Sequence, residues 1–194
     1  MRLKINEMAA VEYADIFDWP LTVAEAKKWA IKVKPMTNKT LDYKISKKQW
    51  ERRKEKEKKA AKKILEAEIV AKSLARMTTI KAVFLTGSVA VGNAGKNADI
   101  DLMIVTVPGA LWLTRLVVVI VLKLLGLYRR TICPNIFLDT KHLEIKEKNL
   151  YTAHEVLQAK CLVDKGKIKR LWLRKNNWTK DYLPNAYKLI SAAV

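Results

Sequence analysis

Cysteine is nearly absent: 194 residues hold two, Cys133 and Cys161, far apart and without a CxxC spacing. Their scarcity excludes a disulfide framework and gives no zinc-site signature. Both thiols read as buried apolar side chains in a reducing, cytoplasmic compartment. Membrane-length apolar runs are missing too. The one candidate, residues 111–128, is broken by Arg115 and Lys123, and the stretch between them is too short to span a bilayer. It reads as a buried core helix, and no membrane partner is expected. The first residues lack a long apolar stretch, so no signal peptide is expected, and no internal repeat is legible. Acidic residues are scarce beside basic ones, 19 against 38, for a formal charge of +19. That imbalance favours a polyanionic partner, nucleic acid ahead of a membrane surface. The alternative is that the cations only keep the chain soluble.

What is present supports a folded chain. Half of the residues are hydrophobic, enough for a sizeable core and against global disorder. Thr22-Val23-Ala24-Glu25 has capping-box spacing, and Ala26, Trp29, Ala30 and Val33 continue an apolar helical face that Pro35 helps to end. Ser46-Lys47-Lys48-Gln49 repeats the signal and opens one long helix to about Met77. Its half from Glu51 to Lys59 is almost wholly charged and should be solvated; Ile64, Ala67, Ala71 and Leu74 turn its second half towards a core. Arg52, Arg53, Lys54, Lys56, Lys58, Lys59, Lys62 and Lys63 make a basic stripe, readable as a nucleic-acid surface or as a solvated face.

Between Ile80 and Val107 the periodicity changes. Ala82-Val83-Phe84-Leu85 suits a buried strand, Gly92, Asn93 and Gly95 mark a loop, and a second strand runs from Ile100 to Val107. A third strand is expected from Thr131 to Leu138, with a short return strand at Leu143-Glu144-Ile145. Thr152-Ala153-His154-Glu155 is a further capping box, opening a helix to about Ala159.

Gly87-Ser88 directly after the first strand lets an anion approach the backbone, with free N–H groups and the Ser88 hydroxyl pointing at it. On the next strand Asp99 and Asp101 stand two residues apart, so both carboxylates leave one face while Ile100 and Leu102 point the other way. Such a pair suits Mg²⁺, which prefers few carboxylates plus phosphate oxygens. Lys96 and Asn97 lie in the loop before Asp99 and could touch phosphate or face water. Ser88 has no legible triad around it, and phosphate gripping is preferred to nucleophilic attack. His142 and His154 are isolated and read as surface or capping residues. Arg115, Arg129 and Arg130 could reach a triphosphate or cap helix ends. Trp172 and Trp178 read as core, with base stacking the alternative.

Gly87-Ser88, ten intervening residues, then Asp99-Ile100-Asp101-Leu102 resembles the signature of the DNA polymerase β-like nucleotidyltransferase superfamily. Tyr13-Ala14-Asp15-Ile16-Phe17-Asp18-Trp19-Pro20-Leu21-Thr22, Cys133-Pro134-Asn135, Tyr151-Thr152-Ala153-His154-Glu155 and Leu183-Pro184-Asn185 are similar to an uncharacterised bacterial and archaeal nucleotidyltransferase-domain group. The resemblance implies an α/β (α+β) fold with a short mixed sheet, flanking helices and a helical, winged-helix-like N-terminal module. It implies an NTP substrate, Mg²⁺ or Mn²⁺ as cofactor, and transfer of an NMP to an acceptor hydroxyl. Asp99 and Asp101 would hold metal, with Gly87, Ser88 and Lys96 on the nucleotide. A third carboxylate is implied on a neighbouring strand, Asp139 first and Glu144 as the alternative; without either acid, a catalytically degenerate nucleic-acid-binding protein is the competing reading. The expected organisation is an N-terminal module over 1–45, a basic helix over 46–63, a nucleotidyltransferase core over 64–160 and a basic aromatic tail over 161–194.

Overall fold

The computed structural model describes residues 2–33 and 39–194. In chain order the elements are β1 (Arg2–Lys4), α1 (Ile5–Asp15), α2 (Val23–Lys28), β2 (Thr40–Asp42), α3 (Lys47–Leu74), β3 (Ile80–Thr86) and α4 (Gly87–Val91). There follow β4 (Ile100–Thr106), α5 (Leu111–Leu124), β5 (Ile132–Asp139), α6 (Leu150–Gln158), β6 (Lys160–Asp164), α7 (Ile168–Lys175), a 3₁₀ turn (Asn177–Asp181) and α8 (Pro184–Ala192). They divide into two compact units: residues 1–55, 146–157 and 177–194, and residues 56–145 with 158–176.

In the first unit the Thr22 capping box forms as expected, the Glu25 amide donating to Thr22 Oγ1 at 3.3 Å and the Thr22 amide to Glu25 Oε2 at 2.8 Å. Helix α2 ends at Lys28, and Pro35 lies outside the described residues. A two-stranded antiparallel sheet of β1 and β2, pairing Leu3 with Leu41, was not legible in strands only three residues long. Leu3, Ala10, Val11, Ala14, Trp19, Leu21 and Ala26 form the core here. The charged half of α3 is not wholly solvated. Arg53 is 5% exposed, forks onto Glu25 through two 2.7 Å bonds and lies 4.4 Å over the Trp19 ring. Burial of a guanidinium is tolerated because its planar donor fork is satisfied and its face is stacked.

Helix α6 begins three residues before the expected site. Asn149 caps it, exchanging bonds with Thr152 in both directions, amide to side chain. His154 is neither surface nor cap: it is 5% exposed, stacked 4.4 Å from Tyr13 and tilted 5.2 Å from Trp29. Burial drives its pKa down to about 4, since the charged ring would lose its hydration.

The second unit is built on a four-stranded sheet in the order β5-β4-β3-β6. Strand β3 is antiparallel to β4 and β6, while β4 and β5 run parallel, so the sheet is mixed as expected. Strands β3 and β4 are buried almost throughout, which is why they read as continuous apolar runs. Ala67, Ala71 and Leu74 of α3 join Val83, Leu85, Ile100, Leu102 and Ile104 in one core. Helix α5 is not a fully buried helix. Thr114, Val118 and Leu122 form its buried stripe, whereas Trp112 and Leu124 are 75% and 82% exposed. Among the described residues, no helix is long and apolar enough to cross a membrane.

No strand forms at residues 143–145. The buried Asn176 side chain takes the partner's place, donating to the Leu143 carbonyl and accepting from the Ile145 amide, both at 2.8 Å. The fourth strand is instead β6, in the stretch read as the start of a tail. Trp172 and Trp178 are buried, as the core reading expected, with Trp172 tilted 6.0 Å from Phe84.

Candidate active site

The site forms where β3 ends and β4 begins. Thr86 pairs with Asp101 across the two strands, and the chain then turns sharply into α4 at Gly87, whose φ is +67°. A side chain there would collide with its neighbour: an ideal Cβ at Gly87 falls 2.4 Å from Asp101 Oδ2 and 3.3 Å from Cγ. Glycine is therefore required twice, for the left-handed backbone and for the close approach. Ser88 is exposed at the first turn of α4, and its carbonyl accepts from the Asn93 amide at 2.9 Å. Lys96 is exposed in the turn that leads towards Asp99.

Asp99 and Asp101 do lie together. A third group joins them: ligand atoms of Asp99, Asp101 and Cys133 all fall within 4.8 Å of one another. Cys133 arrives through the parallel register, which sets it directly beside Asp101 on β5. The Ile100 amide, donating to the Thr131 carbonyl at 2.8 Å, pins the start of that register. Neither cysteine is the buried apolar residue that the composition suggested; both are half-buried, and Cys161 donates to the Val163 carbonyl.

The charges in this cluster oppose one another. Burial and then the Asp99 charge push the Asp101 carboxyl up to about 6, against a hydrogen bond to Cys133 that favours the ionised form. Burial, then Asp101 and Asp99, push the Cys133 thiol up, with Arg129 acting the other way. Two carboxylates and a thiol crowd round one point, and with Asp101 and Cys133 destabilised as anions they are a donor set that a divalent cation relieves. The residues present fit such a cation.

Asp139 is not brought to this cluster. It pairs with Thr106 at the far end of the parallel ladder, five residues along from Asp101, or roughly 16 Å at the usual strand rise. Its carboxylate is used locally, accepting from the Lys141 and His142 amides at 2.8 and 3.0 Å and lying 2.8 Å from the His142 ring. Desolvation works against ionisation there, but these bonds together hold its pKa below the usual carboxylate range. Glu144 is also outside the group of gathered ligand atoms. Arg115 stacks over Trp112 and Phe137 rather than capping, while Arg129, with φ +54°, lies 5.7 Å over the Tyr128 ring, and its charge opposes the rise at Cys133.

A family model described as a nucleotidyltransferase domain matches residues 67–183. No curated protein matches the chain. Similar solved structures include a toxin–antitoxin MntA–HpeT mutant, 13% identical over 65% of this chain and 90% of that one, with a TM-score of 0.33. Another is a toxin–antitoxin solved with AMP-PNP, 16% identical over 66% of this chain and 90% of that one, with a TM-score of 0.33. Neither likeness bears on what this chain does.

Proposed function

The chain belongs to the nucleotidyltransferase domain family, which spans more than half of it, and from that premise we propose a metal-dependent enzyme that moves an NMP from an NTP to an acceptor hydroxyl. One observation carries the reading: Asp101, gathered with Asp99, approaches the Gly87 bend so closely that a methyl group there would not fit. Asp99 and Asp101 hold the cation, Mg²⁺ or Mn²⁺. When bound, it neutralises triphosphate charge and lowers the pKa of the attacking hydroxyl. Gly87 and Ser88 grip the β- and γ-phosphates through free N–H groups and the Ser88 hydroxyl. Lys96 adds a cation from the exposed turn before Asp99. The acceptor hydroxyl releases its proton to solvent, its oxygen bonds to the α-phosphorus as the bond to the bridging oxygen breaks, and pyrophosphate leaves.

The acceptor is a nucleic acid in a cytoplasmic setting. The formal charge of +19 supports a polyanion, and the low cysteine content supports a reducing compartment. Labelled NTPs, Mg²⁺ or Mn²⁺ and pooled RNA should give labelled RNA, and Asp101→Asn should abolish the transfer. A second reading, a catalytically degenerate nucleic-acid-binding protein, is favoured by the distance of Asp139 from the pair. RNA binding without transfer to any RNA, protein or small acceptor, unchanged by Asp101→Asn, would decide for it.

A further inference from the structure

The third donor beside the two aspartates is a sulfur, and sulfur changes which cation a site takes. We propose that Cys133 is a third protein ligand of the metal site, and that its thiolate gives the site an affinity for thiophilic divalent cations, Zn²⁺ or Cd²⁺, that the two aspartates alone would not have. The inference rests on the metal-binding reading of Asp99 and Asp101.

Three observations carry it. First, the parallel register places Cys133 directly beside Asp101, so the two side chains leave the sheet on one face. Second, one ligand atom from each of Asp99, Asp101 and Cys133 lies within 4.8 Å of the others. Around a tetrahedral cation with sulfur near 2.3 Å and oxygen near 2.1 Å, donors stand roughly 3.5 Å apart. Small side-chain rotations close that difference. Third, the acids suggested by the sequence as third ligands stay outside the group: Asp139 is held by Lys141 and His142, and Glu144 is not among the gathered donors.

Three protein donors leave one position of a tetrahedral ion for water or a phosphate oxygen, the arrangement of catalytic rather than structural zinc sites. Mg²⁺ requires near-octahedral oxygen ligation and gains nothing from sulfur. Binding breaks the Cys133 S–H bond and forms a sulfur–metal bond, and one proton leaves to solvent. The thiol and the two carboxylates thus form a selective site, not merely an anionic one.

The full chain with Cys161→Ser, which removes the only other thiol, is titrated with Cd²⁺ while thiolate-to-metal charge-transfer absorption and released protons are followed. The expected result is a charge-transfer band and about one proton per Cd²⁺ bound. Adding Cys133→Ser should remove the band and weaken Cd²⁺ by at least the roughly 10- to 100-fold that losing a ligand's supporting partner costs. Cys133→Asp, which restores an all-oxygen set, should lose the band and bind Mg²⁺ more tightly. Cd²⁺ binding with no band, or with affinity untouched by Cys133→Ser, would overturn the inference. Failure of the proposed function reads differently: no NMP is transferred with any cation, whereas the Cd²⁺ titration reports binding alone.

Discussion

Adding one methyl group at Gly87 separates two costs that the structure assigns to this bend. The backbone sits at φ +67°, and holding alanine in that left-handed region costs about 1–2 kcal/mol. The second cost is steric. The new Cβ would fall 2.4 Å from Asp101 Oδ2, whereas contacts below 3.0 Å are essentially never seen and ordinary ones begin at 3.4 Å. The Asp101 carboxylate must therefore retreat by up to about an ångström, a misplacement that can cost roughly 10²-fold in rate. Two other glycines serve as controls. Gly109 also has positive φ, +80°, but open space around its Cβ position, and Gly95 has open space without positive φ. Thermal melting and initial rates of NMP transfer are measured on all three alanine variants. Gly95→Ala should change little. Gly109→Ala should lower the melting temperature by a few degrees, roughly 2–4 °C per kcal/mol for a chain of this length, and keep its rate. Gly87→Ala should show that loss and a rate reduced about a hundredfold. A Gly87→Ala enzyme as fast as Gly109→Ala would refute the claim that this glycine makes room for the metal-binding carboxylate.

Arg53→Met keeps an apolar stem over Trp19 but leaves Glu25 without its guanidinium; since Glu25 is partly exposed, the expected loss in denaturant unfolding is about 2–3 kcal/mol, below the 3–5 typical of a fully buried pair. His154 has a folded pKa of about 4 against an ordinary 6.5, so its neutral form stabilises the fold. That contribution is complete above pH 6.5 and is lost as the pH falls towards 4, by about 3 kcal/mol; His154→Phe should flatten this part of the stability profile, and an unchanged profile would contradict the assignment. Asp139→Asn should cost about 1 kcal/mol of stability through weakened bonds to Lys141 and His142, while NMP transfer stays within a few-fold of the unaltered chain.

The central strands were legible because both of their faces are buried, which turned Ile80–Thr86 and Ile100–Thr106 into apolar runs bounded by a glycine and a Pro-Gly turn. The aspartate pair was legible for a related reason: Asp101 lies in β4 and Asp99 immediately precedes it, so extended-chain alternation carried one residue back puts both on one face. Residues whose place depends on distant partners were not. Strand β6 is a five-residue edge with a lysine and an aspartate at its ends, so its pattern resembled a polar tail. The segment at Leu143 looked like a strand because it is apolar, but a side-chain amide, not a ladder, satisfies its backbone. Arg53 sits in a run of charges that gives no sign of the Trp19–Glu25 pocket. Cys133 was misjudged because cysteine spacing along the chain carries no information about parallel register, which alone brings it to Asp101. The same register disqualified Asp139: position at a strand's end was visible in the sequence, but which end faces the site was not.

Manganese binding, followed through the paramagnetic resonance of the free ion in the presence of a non-hydrolysable NTP, tests the metal site most directly. The unaltered chain and Asp139→Asn should both deplete free Mn²⁺, while Asp99→Asn and Asp101→Asn should leave it in solution. Undiminished binding by Asp101→Asn, or its loss in Asp139→Asn, would contradict the account.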